Sequence, residues 1–215
     1  MRADTNLRSR LEQGLDRLGL ALADERIERL LGYLALLRHW NRAYNLTAVR
    51  EPLEMVPRHL LDSLAILPWV AGPRLLDVGT GPGLPGIPIA IARPDVAVTL
   101  LDSNGKKVRF CRQAAMELGL GSVEVVQARV ETYRPSEAFA TITARAVADL
   151  PSLVASVGHL LAPGATLLAM KGALPEAEIA ALEGQGWVVA ARRLDVPGLE
   201  AERHLVEIRS RGQST

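Results

Sequence analysis

From Leu75 onward the chain alternates short β-rich runs with helical segments, and this alternation constrains its fold more than any other feature. The runs are RLLDVG, AVTLLD at Ala97 to Asp102, SVEVVQAR at Ser122 to Arg129, TITARA at Thr141 to Ala146 and ATLLAMKG at Ala165 to Gly172. Between them lie KKVRFCRQAAMELGL, closed by Gly119 and Gly121, and LPSLVASVGHLL, closed by Pro163 and Gly164; a further helix falls near Glu176 to Leu182. Such a pattern predicts an α/β fold: a doubly wound, mostly parallel sheet with helices on both faces. The last two β-rich runs, WVVAARRLDV and HLVEIRS, are joined only by PGLEAER. Parallel neighbours need a crossover of a dozen or more residues, so this C-terminal strand pair should be antiparallel.

The residues before the turn signal AGPR (Ala71 to Arg74) read as helical. Leu11, Leu15, Leu18 and Leu22 form one apolar stripe, and Ile27, Leu30, Leu31, Leu34 and Leu37 form another, with Asp24 as the expected N-cap between them. Pro52 is placed to open a new helix. The expected organisation is an N-terminal helical extension over residues 1–72 and an α/β domain over 73–211. At 215 residues and 23.2 kDa the chain has room for one substantial core, hence one active site. Hydrophobic residues at 48% and charged residues at 23% describe a globular chain. No apolar run approaches membrane-spanning length, and MRADTNLRSRLEQ carries charges where a signal peptide would be apolar. A cytoplasmic protein without a membrane partner is expected. Cys111, the single cysteine, has no ligand spacing around it and reads as buried filler; no metal site is expected.

The first crossover holds LLDVGTGPGLPGIPIAI, Leu75 to Ile91, where Gly81, Gly83 and Gly86 match GxGxxG and Asp102 follows at the spacing of a dinucleotide fingerprint. A glycine turn after a buried strand lets backbone approach a ligand closely and aims helix N-terminal amides at it. Three features turn the loop away from a dinucleotide. Asp77, just before Gly79, would repel a pyrophosphate and attract an ammonium. Pro82, Pro85 and Pro88 remove backbone donors from a phosphate cradle. The antiparallel end pair does not match a second mononucleotide-binding half. S-adenosyl-L-methionine, which carries an ammonium and a sulfonium but no phosphate, fits better. Asp102 would accept from the ribose hydroxyls or cap the following helix, while Val130 and Glu131 in QARVE could reach the adenine edge.

Together DVGTGPGLPGIP, LLDSNGKKVRF, QARVE, ITARA and MKG, preceded by NLTAVRE and RHLLDSL and followed by ERHLVEIR, resemble the bacterial glucose-inhibited division protein B family, over about Leu30 to Arg209. These are 16S rRNA (guanine-N7)-methyltransferases. The resemblance implies a Rossmann-like, seven-stranded methyltransferase sheet. It also implies cofactor contacts at Gly79, Leu84, Val130, Glu131 and Arg145, beside the Asp77, Gly81, Gly83 and Asp102 read from the loop. The implied reaction is methyl transfer from S-adenosyl-L-methionine to N7 of a guanine in 16S rRNA, guanine(527) of the decoding-site loop, either in free rRNA or in an assembling small subunit. Guanine N7 is an acceptor with a free lone pair, so in-line attack needs no general base. Arg145 is then the expected catalytic positioning group. Arg58, His59, Lys106, Lys107 and Lys171 are candidate RNA contacts, with Arg42, Arg50, Arg109 and Arg112 nearby, although such charge runs are more often solvated faces. Trp40 and Tyr44 are candidates for base stacking or for core. A monomer is expected. Two other readings stay open on the residues alone: a nicotinamide-dependent oxidoreductase that uses the glycine loop, and a non-enzymatic RNA-binding module.

Overall fold

The computed structural model describes residues 2–145 and 149–210, with side chains from residue 5 onward. The expected strand end at Ala146 and domain end at Arg211 lie outside the described residues. Among the described residues, seven strands form one sheet: β1 (Arg74–Val78), β2 (Ala97–Asp102), β3 (Val123–Gln127), β4 (Phe139–Arg145), β5 (Leu161–Lys171), β6 (Trp187–Arg193) and β7 (His204–Ser210). Their order is β3-β2-β1-β4-β5-β7-β6. The first five are parallel, whereas β7 runs antiparallel to both β5 and β6, as its short connection required. β5 starts earlier than the sequence pattern indicates, taking in Leu161 to Gly164, which read as a helix end. Pro163 cannot donate to a helical ladder and pushes Ala162 toward extended backbone, so the helix gives way to strand.

Among the described residues, eight α-helices accompany the sheet: α1 (Arg2–Arg17), α2 (Asp24–Tyr44), α3 (Pro52–Met55), α4 (Asp62–Leu64), α5 (Gly86–Ala92), α6 (Gly105–Glu117), α7 (Leu150–Val157) and α8 (Glu176–Gly184). Pro52 opens α3 as expected, and a π-helical turn over Val56–Leu61 links α3 to α4, with Pro57 near its start. Asp24 is not the N-cap of α2. That position falls to Ala23, which offers no side-chain bond, and Asp24 accepts from Arg8 Nη2 at 2.7 Å instead. Among the described residues no helix is long and apolar enough to cross a membrane.

Strand periodicity divides the core between the two faces of the sheet. Leu75, Leu100, Leu168 and Met170 point toward α5 and α6, while Leu76, Leu101, Leu167 and Ala169 point toward α7 and α8. The N-terminal helices do not stand apart from this arrangement. Leu11, Leu30, Leu34 and Leu37 belong to the same continuous core as Leu75, Ile87 and Phe110. Trp40 stacks on Tyr44 at 5.2 Å and meets Phe110 edge-on at 5.8 Å, so these rings pack the helices together and form no open stacking platform.

One fully buried contact between α2 and the α/β layer is polar. Tyr33, fully buried beside Phe110, donates from its hydroxyl to the Pro82 carbonyl in the glycine loop at 2.8 Å. Tyr33→Phe would strand that buried carbonyl, a change that costs about 1–3 kcal/mol. The urea midpoint of the variant should fall without a change in m-value, and an unchanged midpoint would show that the bond contributes nothing to stability.

Candidate active site

The site begins where β1 ends. Asp77 has no exposed surface, and its oxygens accept from Thr80 Oγ1 at 2.5 Å, Gly86 N at 2.9 Å and Thr143 Oγ1 at 3.1 Å. One carboxylate therefore ties together the glycine loop, the start of α5 and the neighbouring strand β4. The expectation that it attracts an ammonium directly is corrected: its acceptor positions point into the protein, and it shapes the loop instead. Burial outweighs the three hydrogen bonds and pushes its carboxyl up to about 6. Gly86 is glycine for a steric reason, since a Cβ there would lie 2.2 Å from Leu100 Cδ2 and 2.8 Å from Asp77 Oδ2.

Gly79 and Gly81 both turn through the left-handed region, each at φ 62°, which suits residues lacking a Cβ. Their loop borders a cleft of about 190 Å³ lined by Gly79, Asp102, Ser103, Val130 and Glu131 among others. Four of the expected cofactor residues thus converge, brought from the ends of three neighbouring strands. Asp102 is 8% exposed and accepts from Gly81 N at 2.9 Å and Asn104 N at 2.8 Å. It does not cap α6; Asn104 does, through its side-chain oxygen to Lys106 N at 3.0 Å and Lys107 N at 3.4 Å. Gly83 and Leu84 do not line the cleft, and the Leu84 side chain lies in the core.

Behind the loop, the Cys111 thiol donates to the Gly81 carbonyl at 3.4 Å. Burial pushes this thiol up, away from thiolate chemistry. Neither Cys111 nor Tyr33 announced its contact with the loop in the sequence. Cys111 reads as buried filler and Tyr33 carries no assignment, and only the packing of α2 and α6 against the loop makes each a support.

A second cavity, about 320 Å³, lies farther along the same sheet edge and is lined by Asp62, Arg145, Met170, Lys171, Gly172 and Arg203. Arg145, expected among the cofactor contacts, lines this cavity and not the first. Its Nη1 donates to Asp62 Oδ2 and to the Arg58 carbonyl, both at 3.2 Å. Lys171 is held on the rim by Glu178 at 2.9 Å. His59 does not offer a surface for RNA: it is 5% exposed, and its Nε2 lies 3.0 Å from Thr47 Oγ1. Burial, reinforced by the charge of Arg145, lowers its imidazole to about 4, so it is neutral at physiological pH. Arg58 and Lys106 are exposed, Arg58 pairing with Glu54 at 3.2 Å, and Lys107 lies 3.9 Å from Asp102.

The family model described as rRNA small subunit methyltransferase G matches residues 26–206. The chain belongs to this family. A ribosomal RNA small subunit methyltransferase G of Alkalilimnicola ehrlichii is 55% identical over 196 residues, covering 91% of this chain and 89% of the relative. One of the same name from Methylococcus capsulatus is 52% identical over 205 residues, covering 95% and 100%. Among solved structures, a glycopeptide N-methyltransferase complexed with (S)-adenosyl-L-methionine superposes with a TM-score of 0.63 at 14% identity, over 72% of this chain and 88% of that one. A methyltransferase from Aquifex aeolicus superposes at 0.56 with 20% identity, over 72% and 92%. The fold is thus the expected methyltransferase sheet. For a methyltransferase G family member, the oxidoreductase and the non-enzymatic alternatives both fall away.

In this family member the buried Asp77 carries a pH signature. Its folded value lies above the unfolded one of about 3.9, so the native state keeps a proton that the unfolded chain releases. Its contribution to stability is complete below about 3.9 and is lost as pH rises through about 6. Asp77→Asn has no such proton, and its amide fits the same site because Thr143 Oγ1 is able to accept. The difference in Tm between variant and native protein should move in favour of the variant between pH 4 and pH 7. Parallel Tm curves across that range would refute the assignment.

Proposed function

We propose that this protein transfers a methyl group from S-adenosyl-L-methionine to N7 of a guanine in 16S rRNA, the decoding-site guanine that the resemblance implies. The observation that carries this reading is the division of one sheet edge into two cavities: a cleft over β1 to β3 where Asp102 and Glu131 outnumber Arg129, and one at the ends of β4 and β5 and the start of β7 where Arg145, Lys171 and Arg203 outnumber Asp62. The cleft fits a phosphate-free cofactor. A dinucleotide phosphate would face Asp102 and Glu131, whereas ribose hydroxyls would find an acceptor in Asp102, and Gly79 leaves backbone open to close approach. Gly79, Asp102, Val130 and Glu131 would hold the cofactor. Gly81 anchors Asp102, Asp77 and Gly83 shape the loop, and Leu84 supports it from the core.

S-adenosyl-L-methionine supplies an electrophilic methyl group on a sulfonium. Guanine N7 offers its lone pair without losing a proton, so the protein has only to bind the base, align it and keep water out. No side chain need act as a base. Arg145 serves to orient an acceptor, the guanine O6 or a phosphate. Lys106 and Lys107 at the start of α6, with Arg58 near the cationic cavity, would add long-range attraction for RNA. The deep, narrow major groove of A-form RNA hides N7, so the substrate guanine must lie in a loop or an opened helix.

Small-subunit rRNA from a strain lacking the gene, incubated with labelled cofactor and the purified protein, should gain label at a single guanine N7 on mapping. Label on another atom, on protein or on a small molecule would overturn the reading. Asp102→Ala should weaken cofactor binding by about tenfold or more, as expected for loss of a hydrogen bond to a charged group, while leaving RNA affinity unchanged. Calorimetry and filter binding measure the two separately.

A further inference from the structure

Asp62 lies in α4, within the N-terminal helical segment, and is 2% exposed. Each of its oxygens is taken by a different guanidinium: Oδ2 by Arg145 Nη1 at 3.2 Å, and Oδ1 by Arg203 Nε at 3.0 Å. The sheet register explains how two arginines so far apart in sequence meet. Arg145 stands opposite Met170, and Lys171 opposite His204, the residue after Arg203. Because β7 runs antiparallel, its start lies at the same edge as the ends of β4 and β5. Arg145, Lys171 and Arg203 therefore form a row across that edge, around the cavity of about 320 Å³.

One carboxylate for two guanidiniums is an unequal arrangement. A structural ion pair needs one cation per buried anion, and a second partly buried cation adds a desolvation cost without a second carboxylate to offset it. Asp62 nevertheless orients both forks and leaves them with surplus charge. Arg145 uses Nη1 alone, on Asp62 and the Arg58 carbonyl; Arg203 uses Nε on Asp62 and Nη1 on the Glu202 carbonyl at 2.8 Å. Among the described residues, Arg145 Nε and Nη2 and Arg203 Nη2 have no protein partner. Planar donors held in place beside a cavity match the geometry of a phosphate oxygen pair.

We infer that Asp62 is a positioning residue that clamps Arg145 and Arg203 into a subsite for a backbone phosphate of the substrate RNA, next to the target base. Arg203 contacts that phosphate directly. The inference rests on the rRNA methyltransferase reading and adds to it a phosphate contact and the group that orients it. The clamp also gives the N-terminal segment a role at the sheet edge: it delivers the carboxylate that the two guanidiniums share, while Lys171 has Glu178.

The test uses the full-length protein and protein-free 16S rRNA from a strain lacking the modification, with three readouts: RNA affinity against salt, cofactor affinity by calorimetry, and turnover. Arg203→Ala leaves the Asp62–Arg145 pair in place. Its slope of log K against log salt should be shallower by about 0.7, the value for one phosphate contact on single-stranded nucleic acid. Cofactor affinity should stay within about twofold, and turnover should fall about tenfold or more, given that a 1 Å misplacement costs on the order of 100-fold. Arg203→Lys should restore the slope but not the turnover, because lysine keeps the charge and loses the fork.

Asp62→Asn separates positioning from simple screening. It raises the local charge by one, so a mere screen predicts tighter RNA binding with full turnover, whereas a clamp predicts undiminished RNA binding with turnover down about tenfold or more. If Asp62→Asn does not fold, the two Arg203 variants decide. Unchanged slope and turnover in Arg203→Ala, or wild-type turnover in a folded Asp62→Asn, overturns the inference. Failure of the native protein to methylate 16S rRNA would defeat the functional reading instead, and the salt slopes would still decide on the phosphate contact.

Discussion

Asp77 places a carboxylate where water cannot reach it, at the point where β1 hands over to the glycine loop. Three donors from three different elements meet its two oxygens. A buried acceptor-only group is costly unless it is satisfied, and this requirement fixes how the loop turns, how closely α5 approaches the strand and how β4 lies beside β1. Gly86 follows from the same constraint, because the carboxylate and Leu100 occupy the space a side chain would need. The loop is then braced from outside by two helices, through Tyr33 on the Pro82 carbonyl and Cys111 on the Gly81 carbonyl. Loop geometry that a ligand would otherwise have to impose is built in before any ligand arrives, which lowers the ordering cost of binding.

The second organising fact is topological. Strand order reverses around β1, so the crevice between β1 and β4 lies at the carboxyl edge where open α/β sheets bind ligands. On one side of that crevice the strand ends deliver Gly79, Asp102 and the Val130–Glu131 turn; on the other they deliver Arg145, Lys171 and, through the reversed strand β7, Arg203. The balance of charge therefore changes along the edge, from two carboxylates and Arg129 in the first cleft to three cations and Asp62 in the second. Under the proposed function, a cationic cofactor and an anionic polymer would meet different charge balances a few strands apart.

The helical extension is bound into this arrangement at both ends. Its apolar stripes share one core with the sheet face that carries α5 and α6, and Asp62 reaches the cationic cavity. Tyr33 on the glycine loop and Asp62 at the second cavity thus tie the N-terminal helices to two parts of the sheet edge.

How much of this the sequence disclosed varies with the range of the interaction. Strand and helix alternation is a local, periodic signal, so β1 to β4, α6 and the apolar stripes of α1 and α2 were legible, and the shortness of PGLEAER was enough to reverse β7. Motif order was equally local in character, and it carried the family. Boundaries set by competition were less legible: the sequence pattern closes a helix at Pro163 and Gly164, whereas α7 ends at Val157 and β5 already starts at Leu161, and Asn104 displaced Asp102 as the cap of α6.

Side-chain roles that depend on what lies opposite could not be read at all. Asp77 and His59 look available as residues and are buried as neighbours, while Cys111 looks like filler and, with Tyr33, holds the loop. Asp62 and Arg203 are 141 positions apart, and no periodicity links them. Sequence by itself determined the elements, their order and the family, because those depend on backbone propensity and apolar spacing along a short stretch of chain. Only the tertiary structure decided which charges are buried, which are paired and which face a cavity, because burial and pairing are set by contacts between segments that the chain brings together after its local structure is already made.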